Sequence, residues 1–390
     1  MNKINLDHIS ASQLLPEVQE AMISAIRGTL GNPSSQNMAG ERASEMLEKA
    51  RASVAALINA QYPTEIVFNS GGTESINHAI KGAARANTKK GNHIITSNIE
   101  HNAVNRSIKR LLQLGCKTTS VSVDGKGRVD PDEIARAITD ETILVSIMHS
   151  NNEIGTIQPI KEIAKITKEK KVLLHTDAVD SVGVVPIDVE DLGVDLMSFA
   201  SNPFYGPTGV GGLYIRRGTN IWPIIDGGVQ EKNRRAGTEN LIGIIGMGVA
   251  ADLARRDMDK RQAHLKGLKQ LLLSELPNYI DEYLVNGDTE NGLPNLVSIS
   301  PRYIEGESIM LMLDDEGYTV ATRSACATGS LRASHVLMAI GLDHADAQGT
   351  LVITLGVENT ADHIMGFLNA LKNIVDSLRA MSPLYKNKSS

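Results

Sequence analysis

Two cysteines in 390 residues give nothing from which to build a disulfide framework, so a reducing, cytoplasmic setting is the expectation. Aromatic residues make up 3% of the chain, with one tryptophan, which leaves few platforms on which single-stranded bases would stack. An excess of basic charge is missing too. Lys and Arg number 39 against 45 Asp and Glu, a net charge of -6, and this excludes the footprint of a nucleic-acid binder. Long apolar runs are lacking. The most apolar stretch, 241–254, is too short to span a bilayer and carries three glycines, and Met1–His8 has no apolar signal core. No solenoid-length repeat is present. What is there is ordinary for a globular protein: 42% hydrophobic and 22% charged residues, enough chain for about two domains.

Helical and strand patterns alternate. Residues 40–59 repeat alanine and leucine at helical spacing and predict a long amphipathic helix. Short β-rich runs follow at 65–69, 93–96, 143–149, 171–176 and 195–199, each trailed by a helical segment. Continuous apolar strands between helices predict an α/β fold with a mostly parallel sheet covered on both faces. Residues 209–216 suit an antiparallel neighbour, and a long helix is expected from Asn240 toward Leu273. Composition shifts near 277–286. Beyond it, 295–300, 318–322 and 350–355 read as strands of a smaller α+β domain that the N-terminal segment joins, and the polar tail 386–390 reads as frayed. The division is therefore an N-terminal segment 1–14, a large domain 15–275 and a small domain 276–390.

Several constellations follow strands. Ser70-Gly71-Gly72-Thr73-Glu74 opens a helix, where backbone N–H groups and a hydroxyl make either an anion cup or a plain capped turn. Asp177 ends the strand of His175-Thr176-Asp177-Ala178, at the sheet edge where open α/β proteins bind ligands; it suits a protonated ring nitrogen or, alternatively, an N-cap. His101 lies just past another strand, placed to stack on a planar ligand or move protons, or to do neither. Asn151-Asn152-Glu153 reads as a turn or as a polar hand over a ligand hydroxyl. Cys326 sits among small residues in Arg323-Ser-Ala-Cys-Ala-Thr-Gly-Ser330, and Arg323 favours its thiolate. Cys116, in Leu114-Gly-Cys-Lys117, reads as packing.

In this order, the pieces resemble the cysteine desulfurases of the nitrogenase and iron–sulfur type, pyridoxal-phosphate enzymes of the class V aminotransferase fold. The matching stretches are Gly31-Asn-Pro-Ser-Ser35, Ser70–Glu74, Ile99-Glu-His101, Met148–Pro159, His175–Val179, Phe204-Tyr-Gly-Pro207, Arg235–Asn240 and Arg323–Cys326. The resemblance implies a type I fold, a seven-stranded-type sheet and a homodimer. It implies that Gly72 and Thr73 bind the cofactor phosphate and that Thr238 reaches it from the other subunit. By the same resemblance His101 stacks on the ring, Asp177 pairs with the ring nitrogen, Asn152 faces the ring hydroxyl and Cys326 carries a persulfide.

The chain departs from that pattern at its centre. Where the family reads Ser-His-Lys before the Tyr-Gly-Pro turn, this chain reads Phe199-Ala-Ser-Asn-Pro203, so Pro203 stands where the Schiff-base lysine belongs and Ala200 where the loop begins with a phosphate-binding serine. Proline has neither an amine nor an N–H, and no lysine occurs between Lys171 and Lys232. Asp180 replaces a glutamine beside the cofactor, and Asn202 replaces the histidine. Val352 replaces the arginine that holds the substrate carboxylate. Ser10-Ala-Ser12 stands for Ala-Thr-Thr, and Asn37 for a histidine. A proton-transfer group is worth about 10²–10⁴ in rate, so little standard desulfurase turnover is expected. The leading expectation is a dimeric platform of iron–sulfur cluster biogenesis. It docks a scaffold protein and offers Cys326 as sulfur acceptor or as one metal ligand of a cluster shared with that partner, with cysteine or sulfide as the sulfur source. The alternative is an active desulfurase, converting L-cysteine to L-alanine and an enzyme persulfide, with noncovalent pyridoxal phosphate.

Overall fold

A computed structural model describes residues 3–10, 12–28, 31–322 and 333–386. Thirteen strands run through it in chain order: β1 (Ile4–Asn5), β2 (Ile66–Asn69), β3 (His93–Ser97), β4 (Lys117–Val121), β5 (Thr142–Ser146), β6 (Leu173–Asp177), β7 (Leu196–Ala200), β8 (Gly211–Ile215), β9 (Tyr283–Asn286), β10 (Leu296–Pro301), β11 (Tyr318–Thr319), β12 (Ala321–Thr322) and β13 (Leu351–Thr354).

Seven of these form one sheet in the order β2-β8-β7-β6-β5-β3-β4. The pairings from β7 through β4 are parallel, and β8 runs antiparallel to both of its neighbours. Strands β2, β3, β5, β7 and β8 are buried along their whole length. Their uninterrupted apolar runs are what a sheet covered on both faces requires. The helices that cover it include α1 (Pro16–Arg27), α2 (Met38–Leu57), α3 (Gly72–Ala86), α4 (Asn102–Leu112) and a long helix, Leu241–Glu275. Proline at N1 starts α1. Asn37 caps α2 by accepting from the Gly40 N–H at 2.9 Å.

A second, antiparallel sheet has the order β12-β13-β10-β9. Its core gathers Val297, Ile299, Leu351, Ile353 and Phe367 with Leu265, Leu268 and Leu272 from the far end of the long helix. That helix therefore spans both cores. The N-terminal strand β1 pairs in parallel with β11, and Asp7 bridges to Thr354.

The strand boundaries differ from the sequence reading for local reasons. The run from Lys171 enters the sheet only at Leu173, because Lys171 adopts a left-handed φ of 55° and the Val172 N–H closes on Thr167. The run 143–149 leaves the ladder after Ser146, although the Ile147 and His149 N–H groups still reach His175 and Asp177 carbonyls. Residues 318–322 divide into β11 and β12, which belong to different sheets, with Val320 buried between them.

Candidate functional site

The parallel strands end on one side of the sheet, and the turns that leave them assemble the site. Asp177 is the last residue of β6 and is 6% exposed. It accepts the Val179 N–H at 3.1 Å, and burial pushes its carboxyl up to about 6. No cation is hydrogen-bonded or ion-paired to it among the described residues. A buried carboxylate without a counter-charge is costly, and a protonated ring nitrogen would relieve that cost.

Beside it, β2 leads into the Ser70–Glu74 turn. Gly71 has φ 139° and precedes the first turn of α3, a 15-residue helix whose leading N–H groups and dipole favour an anion. A Cβ at position 72 would sit 2.5 Å from Val179 Cγ2, so any larger residue there forces a shift. Thr73 is exposed on that first turn. Glu74 ties this turn to a second loop, accepting the Ser70 N–H at 2.9 Å and the Arg235 Nε–H at 2.9 Å. Thr238 is exposed on the second loop, where Ser70, Arg235 and Thr238 of the same chain line one cavity of about 90 Å³. The loop is anchored from below. Glu231 accepts from both Arg51 Nη atoms at 2.7 and 2.8 Å and from the Phe68 N–H at 2.9 Å.

His101 is the exposed N-cap of α4, its Nδ1 accepting from the Ala103 N–H at 3.1 Å. The neighbouring Glu100 is fully buried. It accepts from Ser97 Oγ at 2.6 Å and the Met148 N–H at 3.0 Å, and burial, with Asp177 nearby, pushes it up to about 8. Of the two consecutive asparagines, Asn151 builds the turn. Its Oδ1 accepts from the Glu153 and Ile154 N–H groups and its Nδ2 donates to the Ile99 carbonyl. Asn152 beside it is half-buried. Below lie two histidine networks: His175 between Ser146 and Ser198, and His149 against Ser181. Burial drops these imidazoles to about 3 and about 4, so both are neutral at pH 7.

Pro203 is buried in a single 3-10 turn, Asn202–Phe204, that follows β7. Asn202 Nδ2 lies 3.5 Å from the Ile9 carbonyl. The turn closes on Tyr205 at φ 68°, and Ser201 Oγ, buried without a partner, packs against Gly206. Asp180 and Pro203 line a common cavity with Tyr205. Cys326 and Arg323 lie outside the described residues. Cys116 is half-buried against the α3–α4 core, and burial raises its thiol.

The family model described as Aminotransferase class-V matches residues 4–367. The chain belongs to the class V aminotransferase family. Within it, the chain is 48% identical to a protein named cysteine desulfurase IscS from Dictyoglomus turgidum, over 99% of this chain and 98% of that one. It is 45% identical to the cysteine desulfurase IscS of Methanosarcina thermophila, over 98% and 94% of the two chains. Among solved structures it superposes on a NifS-like protein with TM-score 0.90 and 37% identity, covering 96% of this chain and all of that one. Pyridoxal phosphate is the cofactor this family implies. The uncompensated Asp177 and the close cradle at Gly72, where a Cβ would crowd Val179, fit its ring nitrogen and its phosphate, while Pro203 fits no covalent tether. The residues therefore suit a cofactor held by noncovalent contacts. When bound, it would supply an electron sink for carbanion chemistry.

Motif-based reading found the residues on the turns but missed what lies beneath them. Glu100 was visible next to His101 without a role. Nothing in the local sequence distinguishes Arg261, Asn295 or His8, which come together only through the packing of the long helix on the N-terminal segment.

Proposed function

We propose that this class V aminotransferase family member is a cysteine desulfurase-type protein of iron–sulfur cluster biogenesis, acting in the cytoplasm as a dimeric platform. In this reading it docks a scaffold protein and offers Cys326 as a thiolate, with little standard turnover of its own. The thiolate either ligates iron together with scaffold cysteines or takes sulfane sulfur from a donor persulfide by exchange, releasing the donor thiolate. That exchange needs no added oxidant.

One observation carries the reading: Pro203, read as standing at the position of the family lysine, closes a buried turn, and among the described residues no lysine lines the cavity beside Asp180. This chain's residues would hold the cofactor by charge and hydrogen bonding. Asp177 would keep the proton on the ring nitrogen, the first turn of α3 would take the phosphate, and His101 would cover the ring face. A second copy is favoured by apolar side chains on the outer surface, among them Met38, Trp222 and Val229, at 71%, 58% and 71% exposure.

Absorption spectroscopy with added pyridoxal phosphate tests the reading. We expect the cofactor to be removed by gel filtration and borohydride to leave no label on the chain. A reduced adduct on any lysine overturns it. Anaerobic co-purification with a scaffold protein is expected to retain iron, and Cys326→Ala is expected to lose it. The alternative, an active desulfurase with noncovalent cofactor, is favoured by the intact Asp177 and Gly72 surroundings. Sulfide release from L-cysteine at rates well above free cofactor, abolished in Cys326→Ala, would select it.

A further inference from the structure

Glu100, the residue before His101, lies fully buried where segments of both domains cross. Its Oε1 accepts from Ser97 Oγ at 2.6 Å, at the end of β3, and from the Met148 N–H at 3.0 Å, just past β5. Its main-chain carbonyl accepts from Asn105 Nδ2 on α4 at 2.9 Å and from His335 Nε2 at 2.9 Å. His335 opens a short helix of the smaller domain, His335–Ala339. One residue thus ties together the exits of two strands, through its side chain, and two helices, through its carbonyl.

The packing follows the same lines. Ile99 is buried with Met148, Ile154, Val336, Leu337 and Ile340 in one apolar cluster. The Ile99 carbonyl takes Asn151 Nδ2 at 3.0 Å. Ser334, the cap of the short helix, donates its hydroxyl to Glu153. The turn that ends on His101, the 151–153 turn and the short helix therefore form one unit.

The contacts of the carboxyl also define its protonation state. No cation is hydrogen-bonded or ion-paired to it among the described residues, and Oε2 is buried without a partner. Of the titratable groups on the neighbouring elements, Asp177 at the end of β6 acts on it as a like charge. His149, next to Met148, is held neutral by burial. His101 and His335 adjoin its main chain, and Glu153 takes the Ser334 hydroxyl. A carboxylate here would be buried beside a second carboxylate with no cation in reach. The neutral acid keeps both hydrogen bonds on its Oε1 carbonyl oxygen and carries its proton on Oε2. Burial and the charge of Asp177 push the group up to about 8.

We propose that Glu100 is a positioning residue that works as a protonated carboxyl, holding His101 and the His335 helix in one register. Its effect on a bound ring rests on the cofactor reading; the tie between the two domains does not.

Three variants of the full chain test this. Glu100→Gln keeps a neutral carbonyl oxygen for both donors, Glu100→Ala removes it, and His335→Phe removes the N–H donor. The infrared difference between wild type and Glu100→Gln at pH 7 should show the C=O stretch of a protonated carboxyl, and raising the pH past about 8 should remove it. Amide hydrogen exchange over 99–105 and 335–340 should be about tenfold faster in Glu100→Ala, the equivalent of one buried hydrogen bond, and within threefold of wild type in Glu100→Gln. His335→Phe should speed exchange in 99–105. Pyridoxal phosphate affinity should follow the same order at pH 7. At pH 9 the wild type should bind more weakly than Glu100→Gln, which a merely structural side chain would not produce. The proposal is overturned by absence of the carboxyl band, by Glu100→Gln exchanging as fast as Glu100→Ala, by Glu100→Ala exchanging like wild type, or by equal affinities of wild type and Glu100→Gln at pH 9. Should Glu100→Ala not fold, a His335→Phe protein with unchanged exchange in 99–105 overturns it. If no protein of the set binds pyridoxal phosphate, the cofactor reading fails while the band and the exchange rates still decide the role of Glu100, so the two failures are distinguishable.

Discussion

Asp177 shows how much a single side chain at the end of a strand can report. Its folded-state pKa, about 6, lies above the ordinary 3.8, so the unfolded chain gives up this proton first. The native state then loses stability as pH rises from about 4 to about 6, and the loss is constant above that. Asp177→Asn removes the penalty. We expect the variant to match the wild type near pH 4 and to exceed it above pH 6, by on the order of 2–3 kcal/mol from the size of the shift, measured by denaturant unfolding at several pH values. The same variant should bind pyridoxal phosphate more weakly. A variant equal to wild type at every pH would mean that Asp177 already has a counter-charge. The carboxylate's place at a strand end was legible in the sequence because motif and strand are contiguous there. The raised pKa was not, because it comes from burial by elements remote in sequence.

At the scale of elements, the site is a set of turns clamped to one another. Gly72 opens α3 against Val179 from the turn after β6, and the 2.5 Å approach that a Cβ would make forces a shift. Gly72→Ala should cost about 1–3 kcal/mol by overpacking, and Gly72→Ala with Val179→Ala should recover most of it. Chemical denaturation of the four proteins of this cycle checks the coupling, and strictly additive losses would exclude the contact. The second clamp is Glu231. It joins α2 to β2 and the Thr238 loop through Arg51 and the Phe68 N–H, with the Arg51 and Glu231 side chains 4% and 1% exposed. Breaking one partner of such a pair strands the other. Glu231→Ala is therefore expected to destabilise by about 3–5 kcal/mol, and Thr238 should become protease-accessible at lower denaturant. The helices and the β-α alternation could be read from periodicity, since local spacing encodes them. The clamps could not, because Arg51 and Glu231 are ordinary charged residues in sequence and pair only across 180 positions.

For the whole molecule, three buried histidines set the acid side of the stability curve. His78, His149 and His175 are held neutral at about 4, about 4 and about 3 by burial. Each has a folded pKa below the unfolded value, so its contribution is full above about 6.5 and is lost as pH falls toward 4. Asp177 and Glu100 work in the opposite direction over part of that interval, but the three imidazoles outnumber them. The thermal midpoint should therefore drop steeply between pH 6.5 and 4; a flat profile would place water or a charge beside those rings. The overall architecture was readable because both sheets follow from strand order. The meeting of His8, Arg261 and Asn295 was not, since it brings together the N-terminal segment, the middle of a helix and the loop between β9 and β10.

Residues 4–5 pair in parallel with residues 318–319, the Ile4 and Leu6 N–H groups donating to the Gly317 and Thr319 carbonyls, so an early strand is completed by a late one. On the ribosome, at roughly 5–20 residues per second, the first strand waits about 15–60 s for its mate to emerge. During that interval the wall that His8 contributes does not exist, and the cavity beside Asp180 and Pro203 stands open. Completion of the protein is thus timed by the last quarter of its synthesis, and a nascent chain stalled before residue 318 should carry the large sheet without a closed cavity.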